Sequence, residues 1–192
     1  MDKKVKLKLV DLGKYGYVME PRYYFYGWST SGKILARESV AKKLVEAKKN
    51  LPKGFNFKIW DCIRSRAIQL RMLDSFRKRL KLLHPELSKK KVEALVWTFG
   101  AKPVKKVDRL DVHRNGGSVD LTILDREGNE LYMGTEFDDL TEKAALDYFE
   151  KKKKLNLLEK EARKNRRLLK RVMKKAGFIS YSPEWWHWSY DK

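Results

Sequence analysis

The chain has 192 residues, enough for one domain with a sizeable core, and 42% hydrophobic with 12% aromatic content excludes intrinsic disorder as the default. Its 45 lysines and arginines outnumber 25 acids, a formal charge of +20. That excess is dispersed, and it suits a solvated surface, a phosphate-binding surface or attraction to anionic wall polymer or membrane; composition does not choose among them.

The amino-terminal stretch MDKKVKLKLVDLGKYG has no continuous apolar segment and does not read as a signal peptide, so a cytoplasmic location is expected. Residues 37–49 carry Val40, Leu44, Val45 and Ala47 at helical spacing, and LPKG ends that helix. FNFKIWDCI, residues 55–63, alternates large apolar and polar residues as a strand does. Within it, Cys62 is the sole cysteine, which excludes an intrachain disulfide or a cysteine-rich metal site. Residues 65–83 return to helix, with Ile68, Met72, Phe76 and Leu80 on one stripe, and 90–99 form a further short helix. Residues 119–124 and 130–133 flank the turn sequence DREGN and predict a hairpin. Residues 157–176 form a long basic helix stopped by Gly177, followed by strands at 178–181 and 185–190. No window approaches the roughly 18 apolar residues of a spanning helix. The elements mix without βαβ alternation, which predicts a single α+β domain over residues 1–192.

His113, Asp120, Glu184 and His187 are the chemically interesting set. In HRNGGSVD a Gly-Gly reversal separates His113 from Asp120, so two potential ligands can converge, and His187 can supply a third. Two imidazoles and one carboxylate suit zinc and leave a fourth position for a water, whose pKa the ion lowers toward neutrality. Glu184, set behind Pro183 on the approach to the last strand, can stand beside that water as general base without ligating. Strand parity would put Trp185 and Ser189 on the His187 face and Trp186, Trp188 and Tyr190 on the other. The indoles then serve as scaffold around the working residues. An isolated E-x-x-H has little specificity, and H-E-x-x-H is absent, so the chain is not a zincin.

At these residues the sequence resembles the zinc-dependent D-alanyl-D-alanine dipeptidases of the vancomycin-resistance type, which share a fold with D-alanyl-D-alanine carboxypeptidases, some phage endolysins and the hedgehog amino-terminal domain. The resemblance runs in order through IWDCIRSRA, HRNGGSVDLTI, MGTEFD, NRRLL, GF and EWWH. It implies a central antiparallel sheet flanked by helices, and one zinc ion held by His113, Asp120 and His187. It further implies Glu184 as catalytic base and Arg64 as stabiliser of the tetrahedral intermediate, oriented by Asp61. Asp138 would receive the free amino group of the dipeptide, and Tyr15 would be a further pocket residue.

The sequence departs from the family pattern at three places: Ile63 and Ser65 stand where tyrosine and proline flank the arginine, and Asp111 stands where a substrate-recognising serine precedes the first histidine. The departure at Asp111 bears on specificity more than on catalysis. The implied activity is zinc-dependent hydrolysis of D-alanyl-D-alanine. The alternative is a carboxypeptidase or endolysin-type peptidase acting on peptidoglycan fragments, which the charge favours. A metal-stabilised binding protein without catalysis is a third reading, opposed by the presence of both Glu184 and Arg64. No specific nucleic-acid partner is expected, because lysine-rich helix faces such as 157–176 are commonly only solvated.

Overall fold

The computed structural model describes residues 8–101 and 113–190. In chain order the elements are β1 (Leu9–Asp11), β2 (Val18–Met19), the single turn α1 (Arg22–Phe25), β3 (Leu35–Arg37), α2 (Glu38–Lys49), β4 (Asn56–Asp61), α3 (Arg66–Leu83), α4 (Lys89–Phe99), β5 (Ser118–Leu124), the short α5 (Tyr148–Lys151), α6 (Leu157–Lys175), β6 (Ile179–Ser180) and β7 (His187–Ser189). Two 3-10 turns, Leu12–Tyr15 and Glu142–Ala144, complete the set.

A five-stranded sheet of order β2-β4-β5-β7-β6 organises the molecule, and β1 pairs with β3 as a separate two-stranded ribbon. The α+β class holds, with one refinement. The sheet is mixed, because β2 runs parallel to β4 while every other pair in it is antiparallel. All seven residues of β5 are buried. Its alternate residues Val119, Leu121 and Ile123 join the hydrophobic cluster with Val40 and Leu44 of α2 and Leu169, Val172 and Met173 of α6. Ser118, Asp120 and Thr122 point to the other face, as strand geometry requires.

Local chemistry explains the helix limits. Ser65 accepts a hydrogen bond from the Ile68 amide at 3.2 Å and caps α3. A serine at this position satisfies one of the free amides of the helix's first turn. Asn156 and Glu159 form a reciprocal capping box on α6. Gly177 ends that helix at φ +91°, a conformation that costs a residue without Cβ nothing.

The DREGN turn forms, but its second arm is a single bridge, Leu124 to Glu130, rather than a strand. The final strand begins only at His187, so Trp185 lies in the preceding turn and strand parity does not reach it. Its indole Nε1 instead donates to Thr135 Oγ1 at 2.8 Å. No helix among the described residues is long and apolar enough to cross a membrane.

Candidate metal centre and active-site cleft

Strand register builds the site. Asp61 of β4 lies opposite Asp120 of β5, which lies opposite His187 of β7, so three polar side chains line up across adjacent strands. The register shifts between Ile59 and Asp61, a bulge that delivers Asp61 into this row. His113 comes from the turn leading into β5. That turn relies on Gly116 at φ +71°, packed against the backbone amide of Arg37, whose N–H donates to the Gly116 carbonyl at 3.0 Å.

The ligand atoms converge. His113 Nε2 lies 3.1 Å from His187 Nδ1 and 3.4 Å from Asp120 Oδ2, and His187 Nδ1 lies 3.1 Å from Asp120 Oδ1. Donors at zinc-bonding distance on tetrahedral corners are roughly 3.3–3.6 Å apart, close to these separations. The donor set also fits a cation chemically. His113 Nδ1–H donates to the Cys62 carbonyl at 2.6 Å, so its Nε2 carries a lone pair. That lone pair faces a second imidazole and a carboxylate, and such a group is stable only around a positive charge, either a proton or a metal ion.

The titration tendencies agree. Burial works against the charge on Asp120, yet His113 and His187 hold its carboxyl well below the usual carboxylate range. Burial and Arg64 oppose protonation of His113, but Asp120 and Asp61 outweigh them and raise it to about 9. Burial lowers His187.

Glu184 occupies the turn before β7, its amide bonded to the Tyr181 carbonyl at 3.2 Å. Its carboxylate stands 3.8 Å from His187 Nδ1, beside the ligand triangle. Burial, with the Asp120 and Asp138 carboxylates, pushes Glu184 well above its ordinary value, so it holds a proton readily.

Arg64 follows β4 directly. Its amide donates to the His113 carbonyl at 3.3 Å, and its Nη1 contacts Asp61 Oδ2 at 3.1 Å and the Tyr23 hydroxyl at 2.7 Å. Burial disfavours the guanidinium charge, but Tyr23, Asp61, Asp120 and Asp138 more than compensate and keep it protonated. Sequence reasoning missed Tyr23. It stands in the aromatic run RYYFYGW, where no pattern separates it from its neighbours.

Asp138 has φ +59° on a loop after Phe137, a left-handed conformation uncommon for a residue with a Cβ. Burial, reinforced by Asp120, shifts its carboxyl upward. The loop is held from α6. Asn165 Nδ2 donates to the Tyr132 carbonyl at 2.9 Å, and Arg166 donates to the carbonyls of Met133, Lys143 and Ala145 at 2.7, 2.9 and 2.6 Å. NRRLL is therefore a fastening of the segment that carries Asp138. Tyr15 makes its contacts elsewhere, stacking on Tyr17 at 6.4 Å. Asp111 lies outside the described residues.

A cleft of about 330 Å³ opens over the centre, lined by the polar Arg64, His113, Glu184, His187 and Ser189 together with the apolar Trp97, Phe99 and Ile179. A larger hollow, about 440 Å³, lies against Trp60, Trp185 and the 130–143 loop and contains none of the ligand residues. The convergence of charged groups marks the smaller cleft as the reactive one.

The chain is 26% identical over 168 residues to a D-alanyl-D-alanine dipeptidase of Synechocystis sp., covering 80% of the chain and 68% of that relative. A D-alanyl-D-alanine dipeptidase of Enterococcus faecalis is 27% identical over 158 residues, covering 81% of the chain and 73% of the relative. One from Escherichia coli is 33% identical over 97 residues, covering 50% of the chain and 47% of the relative. The profile of the D-ala-D-ala dipeptidase family matches residues 27–192, and with that span the chain belongs to this family of metallopeptidases.

Proposed function

We propose that the chain hydrolyses the dipeptide D-alanyl-D-alanine, using one zinc ion held by His113, Asp120 and His187. The observation that carries this reading is the meeting of one ligand atom each from His113, Asp120 and His187, all within 4.8 Å of one another, with Glu184 and Arg64 at the same cleft. When bound, zinc supplies a Lewis acid for the peptide carbonyl and acidifies a water.

The chain's own residues do the rest. Glu184 Oε2 accepts the proton of the attacking water and passes it to the departing amine, a task matched to a carboxyl whose proton affinity burial has raised. Arg64 aims a fixed positive charge at the oxyanion that develops on the carbonyl oxygen. Asp61 and Tyr23 grip Nη1, so the guanidinium loses little entropy in the act. Asp138 receives the free ammonium group of the substrate and so favours a dipeptide over an internal position in a longer chain.

The assay is release of D-alanine from D-Ala-D-Ala by zinc-loaded protein, with chelator-treated protein as control. Turnover that chelation abolishes and zinc restores is the expected result. Cleavage confined to longer stem peptides would replace this reading with a cell-wall peptidase. The charge of +20 favours that second reading, since wall polymers are anionic. Sedimentation with purified walls at low and high salt tests the attraction directly.

A further inference from the structure

On the polar face of β5 and β7 two register pairs stand side by side: Asp120 opposite His187, and Ser118 opposite Ser189. The first is a pair of ligands. The second has no part in the chemistry above, yet its hydroxyl oxygens are only 2.6 Å apart. Ser189 Oγ also lies 3.2 Å from His187 Nε2, the ring nitrogen on the far side from the other ligands. Ser118 is fully buried, while Ser189 reaches the cleft.

A neutral imidazole has a single lone pair and a single N–H. His187 can bind a cation through Nδ1 only as the tautomer that carries its proton on Nε2. The competing tautomer is close at hand, because Nδ1 at 3.1 Å from Asp120 Oδ1 can keep the proton and donate it to that carboxylate. Something must favour a proton on Nε2. Two rings among the described residues, His113 at 4.8 Å between centroids and Tyr181 at 5.7 Å, meet it edge-to-face, and Ser189 Oγ is the acceptor they leave to Nε2 among those residues.

We propose that Ser189, backed by Ser118, is a positioning pair for the metal ligand His187. Ser189 Oγ accepts a hydrogen bond from Nε2–H, which selects the Nε2–H tautomer and turns the Nδ1 lone pair toward His113 Nε2 and Asp120. Ser118, sealed in the sheet, gives its O–H to Ser189 Oγ and so holds that oxygen in place behind the ring. The Ser189 proton is then left to the cleft, with a lone pair facing the imidazole. Strand register alone builds this arrangement: the ladder that sets Asp120 against His187 sets the two serines against each other two residues along, on the same face. The inference rests on the zinc site of the proposed function and not on its substrate.

The test is the zinc affinity of the metal-free protein, measured by competition with a chromophoric chelator and without substrate. Ser189→Ala should weaken zinc binding about 10- to 100-fold, as loss of an outer partner of a ligating histidine does elsewhere. Ser118→Ala should weaken it less, and Ser189→Thr, which keeps the hydroxyl, should bind within about threefold of the wild type. Unchanged affinity in Ser189→Ala would overturn the proposal. Because that variant alters a strand at the sheet's heart, a second measurement uses the wild type alone. In the zinc-loaded protein His187 should show a slowly exchanging Nε2–H resonance by nitrogen-15 NMR, and a proton found on Nδ1 would also overturn the proposal. Wild-type protein that binds no zinc would remove the site itself, whereas zinc binding without dipeptide cleavage would remove only the substrate reading.

Discussion

The two faces of β5 are equally buried and are stabilised by opposite means. On one face Val119, Leu121 and Ile123 are 0% exposed and sit in the hydrophobic cluster with α2 and α6. On the other, Ser118, Asp120 and Thr122 are at most 2% exposed and meet histidines, an arginine and hydroxyls. Packing on the apolar face needs only shape and volume. The polar face has removed charges from water, and each must be matched by a partner or by a bound cation. The strand's apolar face therefore supplies stability that its polar face spends on holding reactive groups in place.

If that division is real, damage to the polar face, or to Glu184 in the turn beside its ligands, should reach chemistry without reaching the fold. The largest effect is expected for Glu184→Gln, which keeps shape and hydrogen-bonding capacity but cannot accept the proton. Turnover should fall by about 10²–10⁴-fold with zinc content unchanged, the usual contribution of a positioned base. Steady-state kinetics beside metal analysis read both quantities. A rate within a few-fold of wild type would remove Glu184 from the mechanism and blur the distinction between the faces.

The converse substitution acts on the packed face. Leu121→Ala should cost about 2–5 kcal/mol of unfolding free energy through lost burial and a residual cavity. Below the shifted midpoint, zinc affinity and turnover should stay near wild type, because Leu121 points away from Asp120 along the same strand. Denaturant unfolding followed by tryptophan fluorescence measures the first, and assays in native buffer the second. A loss of zinc affinity comparable to the loss of stability would mean that the faces are mechanically one unit.

How far these faces were legible in the sequence depends on the length of the periodic signal. The helices α2, α3, α4 and α6 each run for three turns or more, and their apolar stripes located them to within about a residue. The strands β1, β2 and β3 span three residues or fewer, too short for an alternation to register. The strand β4 was recognised, but the bulge that buries Trp60 and Asp61 in succession was not, since a register shift depends on the partner strand. His113, Asp120, His187 and Glu184 stand out because their residue types carry chemistry in that pattern, whereas Arg64 is singled out only by the family resemblance. Tyr23 was invisible because its role exists only through contact with Arg64, 41 residues away in sequence. Trp185 was misplaced onto the His187 face because the turn before β7 cancels the parity that a longer strand would impose. Ser118 and Ser189 looked like ordinary strand residues until the register paired them.

The smallest effect should carry the opposite sign and sharpen the contrast most. Thr122 shares the polar face with Asp120, is 0% exposed, and its Oγ1 has no hydrogen-bond partner among the described residues. A buried hydroxyl left without a partner costs about 1–3 kcal/mol in lost hydration. Thr122→Val keeps the β-branched shape that suits a strand and removes only that polar atom. Stability should rise by about 1 kcal/mol, with turnover and zinc affinity unchanged, because the hydroxyl touches neither ligand nor base. A fall in stability of the same size would show that Oγ1 is satisfied after all, through an ordered water, and that the polar face is a continuous network. A gain would confine its working part to the segment from Ser118 to Asp120, where the strand is polar because the reaction needs it to be.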